Sequence, residues 1–316
     1  MTSSNQKHYV GIDISKPILD VMVLPQKKYV QIDNSQAGIK KLFKILQDYS
    51  NPHVVLEATG GYEKLLVNHL HTNEIKVSVV NPRQVRDFAK ASGKLAKTDK
   101  IDAFIIALFG QKMEPKPATQ KTENQQKLAE LHARRKQLVD MIVMEKNRLD
   151  KTPLHSKKSI QRIIKALEKE LETINQEISE MIMNDPEYAQ KLKLLRTVKG
   201  VGAVIAAGIL AHLPELGQLD EKQIVSLSGL APFNCDSGNM RGKRVIWGGR
   251  APVRCILFMA TIVAIRHNKQ IKPFYDRLCA AGKPKMVAIT ACMRKLLIIM
   301  NAMLKNNQPF RNVSPI

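Results

Sequence analysis

Four carboxylates in the first third of the chain, Asp13, Glu57, Asp99 and Asp102, have the types and positions that a metal-dependent phosphodiester enzyme needs. Asp13 lies at the end of the apolar run HYVGIDIS, and Glu57 at the end of the apolar part of HVVLEATGG. Asp99 and Asp102 stand three apart in KTDKIDA, a spacing that puts both on one face of a helix. Cleaving a phosphodiester at neutral pH requires a polarised phosphoryl oxygen, an activated nucleophile and a stabilised leaving oxygen. Two divalent ions roughly 3.5–4 Å apart can meet all three needs. Mg²⁺ prefers hard oxygen ligands on rigid mounts, which strand ends and helix faces are. Each acid also has a plain structural explanation. Asp13 can form a turn, Glu57 can cap the next helix, and Asp99 and Asp102 can pair with Lys94, Lys97 and Lys100. Their joint placement favours the metal.

A second constellation lies in the C-terminal third. Asp236-Ser237-Gly238 leads into NMRGKRVIWGGRAPVR, where Arg241, Lys243, Arg244, Arg250 and Arg254 alternate with Gly242, Gly248 and Gly249. Glycines let a backbone approach a ligand closely, and guanidinium groups match phosphate geometry. A serine on such a turn is either part of a phosphate-binding loop or a nucleophile whose attack the arginines assist. The residues alone leave both open. Upstream, LLRTVKGVGAVIAAGILAHL reads as helix, Gly-Val-Gly turn and helix, with Lys199 before the turn. Amides at the start of the second helix could grip a phosphate, although tight helix packing explains the same glycines. The eight histidines show no metal spacing, and Trp247 is expected to pack rather than to stack on a base.

The elements that must position these groups follow from periodicity. Residues 8–14, 18–24 and 28–33 read as three short strands. Gln36 to Tyr49 reads as a helix with Ile39, Leu42, Phe43 and Leu46 on one face. A strand at 53–57, a helix opened by Gly60-Gly61, a strand at 75–80 and helices to about Lys112 complete a mixed sheet with helices packed on it. Pro115 and Pro117 mark a linker. Beyond it Leu128, Leu131, Leu138, Ile142 and Leu149 form one apolar stripe. After Pro153, Ile160, Ile164, Leu167, Leu171, Ile174, Ile178 and Met181 form another, a coiled-coil seam. These helices form a hairpin within the chain or a seam between chains. The expected division is 1–114, an α/β domain; 115–188, a helical coiled-coil arm; and 189–316, a mainly α domain.

Composition narrows the partners. The chain has 316 residues and a formal net charge of +22. From Gly229 onward 15 Lys or Arg face only two acids, Asp236 and Asp276. Such a surface attracts phosphate backbones with a salt-dependent affinity. Aromatics are 5% of the chain, so a base-stacking platform is not the main binding mode. Four cysteines without CxxC spacing fit a reducing cytoplasm and argue against zinc or a disulfide framework. MTSSNQKHYV has no apolar signal core. No apolar run reaches the ~18 residues of a membrane span; Cys255 to Ile265 is short, and Arg294 and Lys295 interrupt the next.

Together these residues resemble the DEDD-type insertion-sequence transposases. GIDISK, LEATGGYE and KTDKIDA carry the resemblance in the first third. GLAPFNCDSG, MRGKRVIWGGRAPVR, FYDRL, GKPKMVAITACMRKLL and NAML carry it in the last. The resemblance implies an RNase-H-like (RuvC-like) N-terminal domain, a coiled coil and a C-terminal transposase domain. It puts the acidic tetrad on Asp13, Glu57, Asp99 and Asp102 with Mg²⁺, and the nucleophile on Ser237. It further implies donor and target DNA as substrates, a bridge RNA that pairs with both, and a homo-oligomer, dimer or tetramer, in which one subunit's serine completes another's acidic site. The rival expectation is a RuvC-like nuclease or junction resolvase that cuts with metal-activated water. A third is a basic nucleic-acid scaffold without catalysis.

Overall fold

A computed structural model describes residues 7–93, 98–120, 122–238 and 240–310. The chain divides into two compact units, residues 1–120 and 121–316. Lys94 and Lys97, proposed above as partners of Asp99 and Asp102, lie outside the described residues.

The first unit is an α/β layer built on a five-stranded sheet. Its elements are β1 (His8–Ile14), β2 (Ile18–Leu24), β3 (Lys28–Asp33), α1 (Gln36–Gln47), β4 (Pro52–Glu57), α2 (Lys64–Thr72), β5 (Lys76–Val80), α3 (Pro82–Ala91) and α4 (Asp99–Met113). The sheet order is β3-β2-β1-β4-β5. β1, β2 and β3 form an antiparallel meander, while β4 and β5 add in parallel on the other side of β1. Alternation along β1 sends Val10 and Ile12 to one face, where they pack with Leu42 and Leu46 of α1 and Leu66 and Leu70 of α2. Each of these four leucines is fully buried, which stabilises the layer by roughly 1.5–3 kcal/mol per side chain. The opposite face receives α4.

Capping fixes where the helices begin. Ser35 accepts from the Gly38 amide at the start of α1, and Thr98 accepts from the Ile101 amide at the start of α4. After α4 the chain turns through Glu114, whose Oε1 accepts from the Tyr9 hydroxyl at 2.7 Å. The proline-marked linker then follows β5: the Ala118 amide donates to the Val77 carbonyl at 2.8 Å, and His53 Nε2 lies 2.8 Å from Ser78 Oγ.

The second unit begins with two long helices, α5 (Glu123–Lys151) and α6 (Leu154–Met183), separated by Pro153. Thr122 and Gln125 form a reciprocal capping box at the start of α5. The two helices pair antiparallel within the chain, with Arg135 Nε donating to Asn175 at 2.8 Å and Lys146 bonded to Glu168 at 2.8 Å. The apolar stripes read in the sequence therefore meet each other: Leu128, Leu138 and Ile142 are buried on α5, and Ile164, Ile174 and Ile178 on α6. Then come α7 (Pro186–Leu195), α8 (Ala203–His212), α9 (Glu221–Leu227), four two-residue strands β6 (Pro232–Phe233), β7 (Asp236–Ser237), β8 (Met240–Arg241) and β9 (Val245–Ile246), and α10 (Ala251–His267), α11 (Ile271–Ala280) and α12 (Lys285–Lys305). One core joins the inner ends of α5 and α6 to α7–α12. α12 is long and apolar enough to cross a membrane by length and mean hydropathy alone, with Arg294 and Lys295 interrupting its apolar stretch as the sequence shows. Half of that stretch is buried, with Cys292, Leu296, Leu297 and Met300 in the core of this unit.

Candidate functional site

Gly11 decides how the acidic residues meet. A Cβ there would lie 2.2 Å from the Ala107 nitrogen and 2.3 Å from the Ala103 carbonyl oxygen. The bare glycine thus lets α4 lie directly on β1. Asp13, two residues along, faces the same side as Gly11. It is therefore presented to the first turn of α4, which carries Asp99 and Asp102. Ile12 pairs with Leu56 in the parallel register of β1 and β4, so Asp13 and Glu57 fall side by side at the carboxyl ends of adjacent strands. Open α/β sheets place ligands at that end. Asp13, Glu57 and Asp102 are half-buried, and Asp99 is exposed.

Electrostatics report the gathering independently of register. The Asp13 carboxyl is raised above its ordinary value, by burial first and then by the negative charges of Asp102, Asp99 and Asp20. Three of the four expected acids are thus close enough to repel each other, and the fourth lies on the neighbouring strand. Among the described residues no three His, Cys, Asp or Glu side chains converge closely enough to hold one ion between them. The donors share a sheet end and an electric field without forming a closed cage. Their chemistry still fits a hard divalent cation: all are carboxylate oxygens, and Asp13, raised by burial and then by its acidic neighbours, carries a repulsion that a cation would relieve.

The cap position of the helix after Glu57 belongs to Glu63. Glu63 organises that turn, its Oε2 accepting from the Thr59 hydroxyl at 2.7 Å and the Gly61 amide at 2.8 Å. Burial pushes the Glu63 carboxyl up, but hydrogen bonds from its own amide, Thr59 and Gly61 outweigh it and hold the group below its ordinary value.

Asp20 was missed in the sequence reading. It pairs with Asp13 across β1 and β2 and is 4% exposed. The signal was available, since an acid interrupts ILDVMVL at a position whose alternate neighbours, Met22 and Leu24, are core.

In the second unit Ser237 ends β7 at the tip of a short hairpin, paired with Met240 across the turn at Gly238. Asn239 lies outside the described residues. Ser237, Arg241, Lys243 and Arg244 are all exposed. The base of this region is fixed by a backbone crossing: a Cβ on Gly249 would lie 2.1 Å from the Gly229 nitrogen, so only glycine fits. Arg250 and Arg254 serve that base. Arg250 makes a two-pronged ion pair with Glu215, both bonds 2.6 Å, and donates to the His212 carbonyl at 2.9 Å. Arg254 donates to the Ser228 and Gly248 carbonyls. Trp247, expected to pack, is 52% exposed. Lys199 is exposed at the turn between α7 and α8, and its carbonyl accepts from buried Asn268 at 3.3 Å. His132 Nδ1 lies 3.1 Å from His212 Nε2, a part-buried pair that no third ligand-type side chain joins among the described residues.

An acid-lined α/β unit followed by a helical unit with a basic serine hairpin suits an enzyme of the transposase class that acts on DNA. The comparisons agree with this for both units. Residues 10–153 match the DEDD transposase family of IS110 type, and residues 192–276 match the transposase family IS116/IS110/IS902. The pilin gene-inverting protein of Moraxella bovis is 30% identical over 314 residues, covering 96% of this chain and 98% of that protein. Its Moraxella lacunata counterpart is similar to the same extent. A 42 kDa protein of insertion element IS900 from Mycobacterium paratuberculosis is 26% identical over 154 residues, 46% of this chain and 38% of that protein. The chain belongs to the IS110 family of insertion-sequence transposases. It is an enzyme that acts on DNA, and membership carries a general dependence on a divalent metal.

Proposed function

We propose that this transposase cuts and rejoins DNA through a Mg²⁺-dependent site on Asp13, Glu57, Asp99 and Asp102 and through Ser237 as nucleophile. The observation that carries the acidic half is the close seat of α4 on Gly11 of β1, which presents Asp13 to the turn that bears Asp99 and Asp102. The sheet order β3-β2-β1-β4-β5 supports an RNase-H-like fold for this unit. We read the chain as three working parts: the acidic domain 1–114, the coiled-coil arm 115–188 and the transposase domain 189–316.

Two Mg²⁺ ions bound to the four carboxylates would polarise the scissile phosphate and stabilise the leaving oxygen. Ser237, exposed at its hairpin tip, is presented for attack. Its Oγ loses a proton and forms a bond to phosphorus as the bond from phosphorus to one deoxyribose oxygen breaks. A strand is left joined to the serine and the other ends in a hydroxyl. Attack by a hydroxyl of the exchanged strand reverses the step and frees the serine, so the number of phosphodiester bonds is conserved. Arg241, Lys243, Arg244 and Lys199 offer cationic contacts to the phosphate backbone, and Arg250 and Arg254 hold the loop from which the hairpin projects.

The two Moraxella relatives are named for inverting a pilin gene. In this chain we assign the choice of sequence to a bridge RNA paired with donor and target DNA, in keeping with a basic surface poor in aromatic readers. The acting form is a dimer or tetramer in which the acidic site of one subunit works with Ser237 of another, in the reducing cytoplasm. The test is covalent trapping: labelled DNA is incubated with protein and Mg²⁺, denatured, and searched for a protein–DNA adduct. The adduct is expected with the natural chain and absent with Ser237→Ala or Asp13→Asn. Cleavage without an adduct identifies the water-using nuclease instead. Normal strand exchange by Ser237→Ala removes the nucleophile. Sequencing RNA that co-purifies with the protein from cells carrying its flanking DNA tests the guide.

A further inference from the structure

We propose that Asp20 is a fifth acidic member of the Asp13 site, a positioning residue whose fixed negative charge strengthens divalent-cation binding by the neighbouring carboxylates. The inference rests on the assignment of that site above. It is carried by register, burial and hydrogen bonding. Asp20 stands directly opposite Asp13 in the antiparallel pairing of β1 and β2, and residues paired in this way share a face of the sheet. That face is the one covered by α4, since Met22, two residues along β2, packs with Ala103 and Ala107. Asp20, Asp13 and Glu57 thus occupy one row across three adjacent strands, beneath the first turn of α4.

A carboxylate 96% buried in a sheet interior is costly unless something requires it. Here two side chains from β3 hold it in place: the Tyr29 hydroxyl donates to Oδ1 at 2.5 Å and Gln31 Nε2 donates to the same oxygen at 3.1 Å. Both bonds converge on Oδ1, which fixes the group through one oxygen. Gln31 is the residue paired with Asp20 across β2 and β3, so the support is built into the register. Tyr29 in turn lies under Lys100, whose Nζ is 5.4 Å from the ring centre. Lys100 sits between Asp99 and Asp102 on α4. One chain of contacts therefore runs from α4 through Tyr29 to Asp20 and, by strand pairing, to Asp13. An aspartate needed only to tie β2 to β3 would not have to face another carboxylate. Groups that support metal ligands from behind commonly alter metal affinity by roughly 10–100-fold.

The experiment measures Mn²⁺ binding to the full-length chain by electron paramagnetic resonance, with thermal unfolding of each variant in parallel. Asp20→Asn keeps an acceptor for Tyr29 and removes the charge. It is expected to weaken Mn²⁺ binding roughly tenfold while the unfolding midpoint without metal stays the same or rises. Unchanged Mn²⁺ affinity in a folded Asp20→Asn protein overturns the proposal. Asp13→Asn is the control for the site: Mn²⁺ binding that survives it at full strength shows that the site assignment is wrong, a result distinct from failure at Asp20 alone. Should Asp20→Asn not fold, Asp20→Ser carries the test, since it also removes the charge and leaves a smaller polar group beside Tyr29. A loss of affinity supports the positioning role, and wild-type affinity overturns it.

Discussion

Gly11 on β1 and Ala107 on α4 meet backbone to backbone, with room for a hydrogen and no more between them. The contact sets the depth at which α4 lies on the sheet, and hence the separation of Asp99 and Asp102 from Asp13. Gly11→Ala must push α4 outward, because the atoms in the way are main chain and cannot rotate aside. Overpacking of this kind costs about 1–3 kcal/mol. Urea unfolding should show that loss for the first unit. Mn²⁺ binding should fall as well, although no acid has been changed. Wild-type stability in Gly11→Ala would mean that α4 is free to shift, and that this contact does not position the acids.

Arg241, Lys243 and Arg244 are exposed around the Ser237 hairpin. If each touches a phosphate, each alanine substitution should lower the slope of log affinity against log salt by about 0.9. Filter binding of duplex DNA between low and moderate salt measures this. The loss should be similar for all sequences, since phosphate contacts position DNA without reading bases. An unchanged slope in the triple variant would move the DNA path away from this hairpin.

Arg250 and Arg254 stand in the same basic segment and should behave differently. Arg250 is two-thirds buried in its side chain and engages Glu215 through two bonds. Removing one member of such a pair leaves a desolvated charge behind, which costs about 3–5 kcal/mol when burial is complete. For these partly exposed groups about 1–3 kcal/mol is expected after screening. Arg250→Gln should therefore lower the unfolding midpoint, and its DNA affinity should recover at temperatures where the variant is folded. A variant of normal stability that has lost DNA binding would return Arg250 to the nucleic-acid surface.

That contrast shows what could be read from the chain and what could not. The three opening strands are legible because 8–14, 18–24 and 28–33 are short runs rich in apolar and β-branched residues joined by turns, and the structure gives β1, β2 and β3 those bounds. The paired stripes of α5 and α6 are legible as stripes, but periodicity cannot say which surface they bury against. The Arg135 and Asn175 contact decides for the hairpin within the chain. Asp13, Asp99 and Asp102 are legible through their local settings, at a strand end and on one helix face. Their meeting depends on Gly11, whose role appears only when a helix 92 residues later lands on it. The fates of the arginines were hidden for the same reason, since Glu215 lies 35 residues before Arg250. Charge composition counts both kinds of arginine alike, whereas burial separates them.

His132 provides a prediction for pH. It is 8% exposed, lies 3.1 Å from His212, and borders a cavity of about 270 Å³ shared with Arg135, Asn175 and Ser179. Burial, then the neighbouring His212 and Arg135, push its imidazole down from 6.5 to about 4. The unfolded chain therefore takes up a proton at this residue near pH 6.5, whereas the folded chain does so only near pH 4. Between those values the unfolded state binds more protons, so stability is full above pH 6.5 and declines as pH falls toward 4. The shift corresponds to at most about 3 kcal/mol, less where His212 shares the proton. Urea unfolding of the natural chain at pH 7.5 and 4.5 should show the decline for the second unit. His132→Gln keeps a polar group beside His212 and removes the titration, so its acid decline should be shallower. An equal decline in the two proteins would assign the acid sensitivity to other residues and leave His132 as a packing group alone.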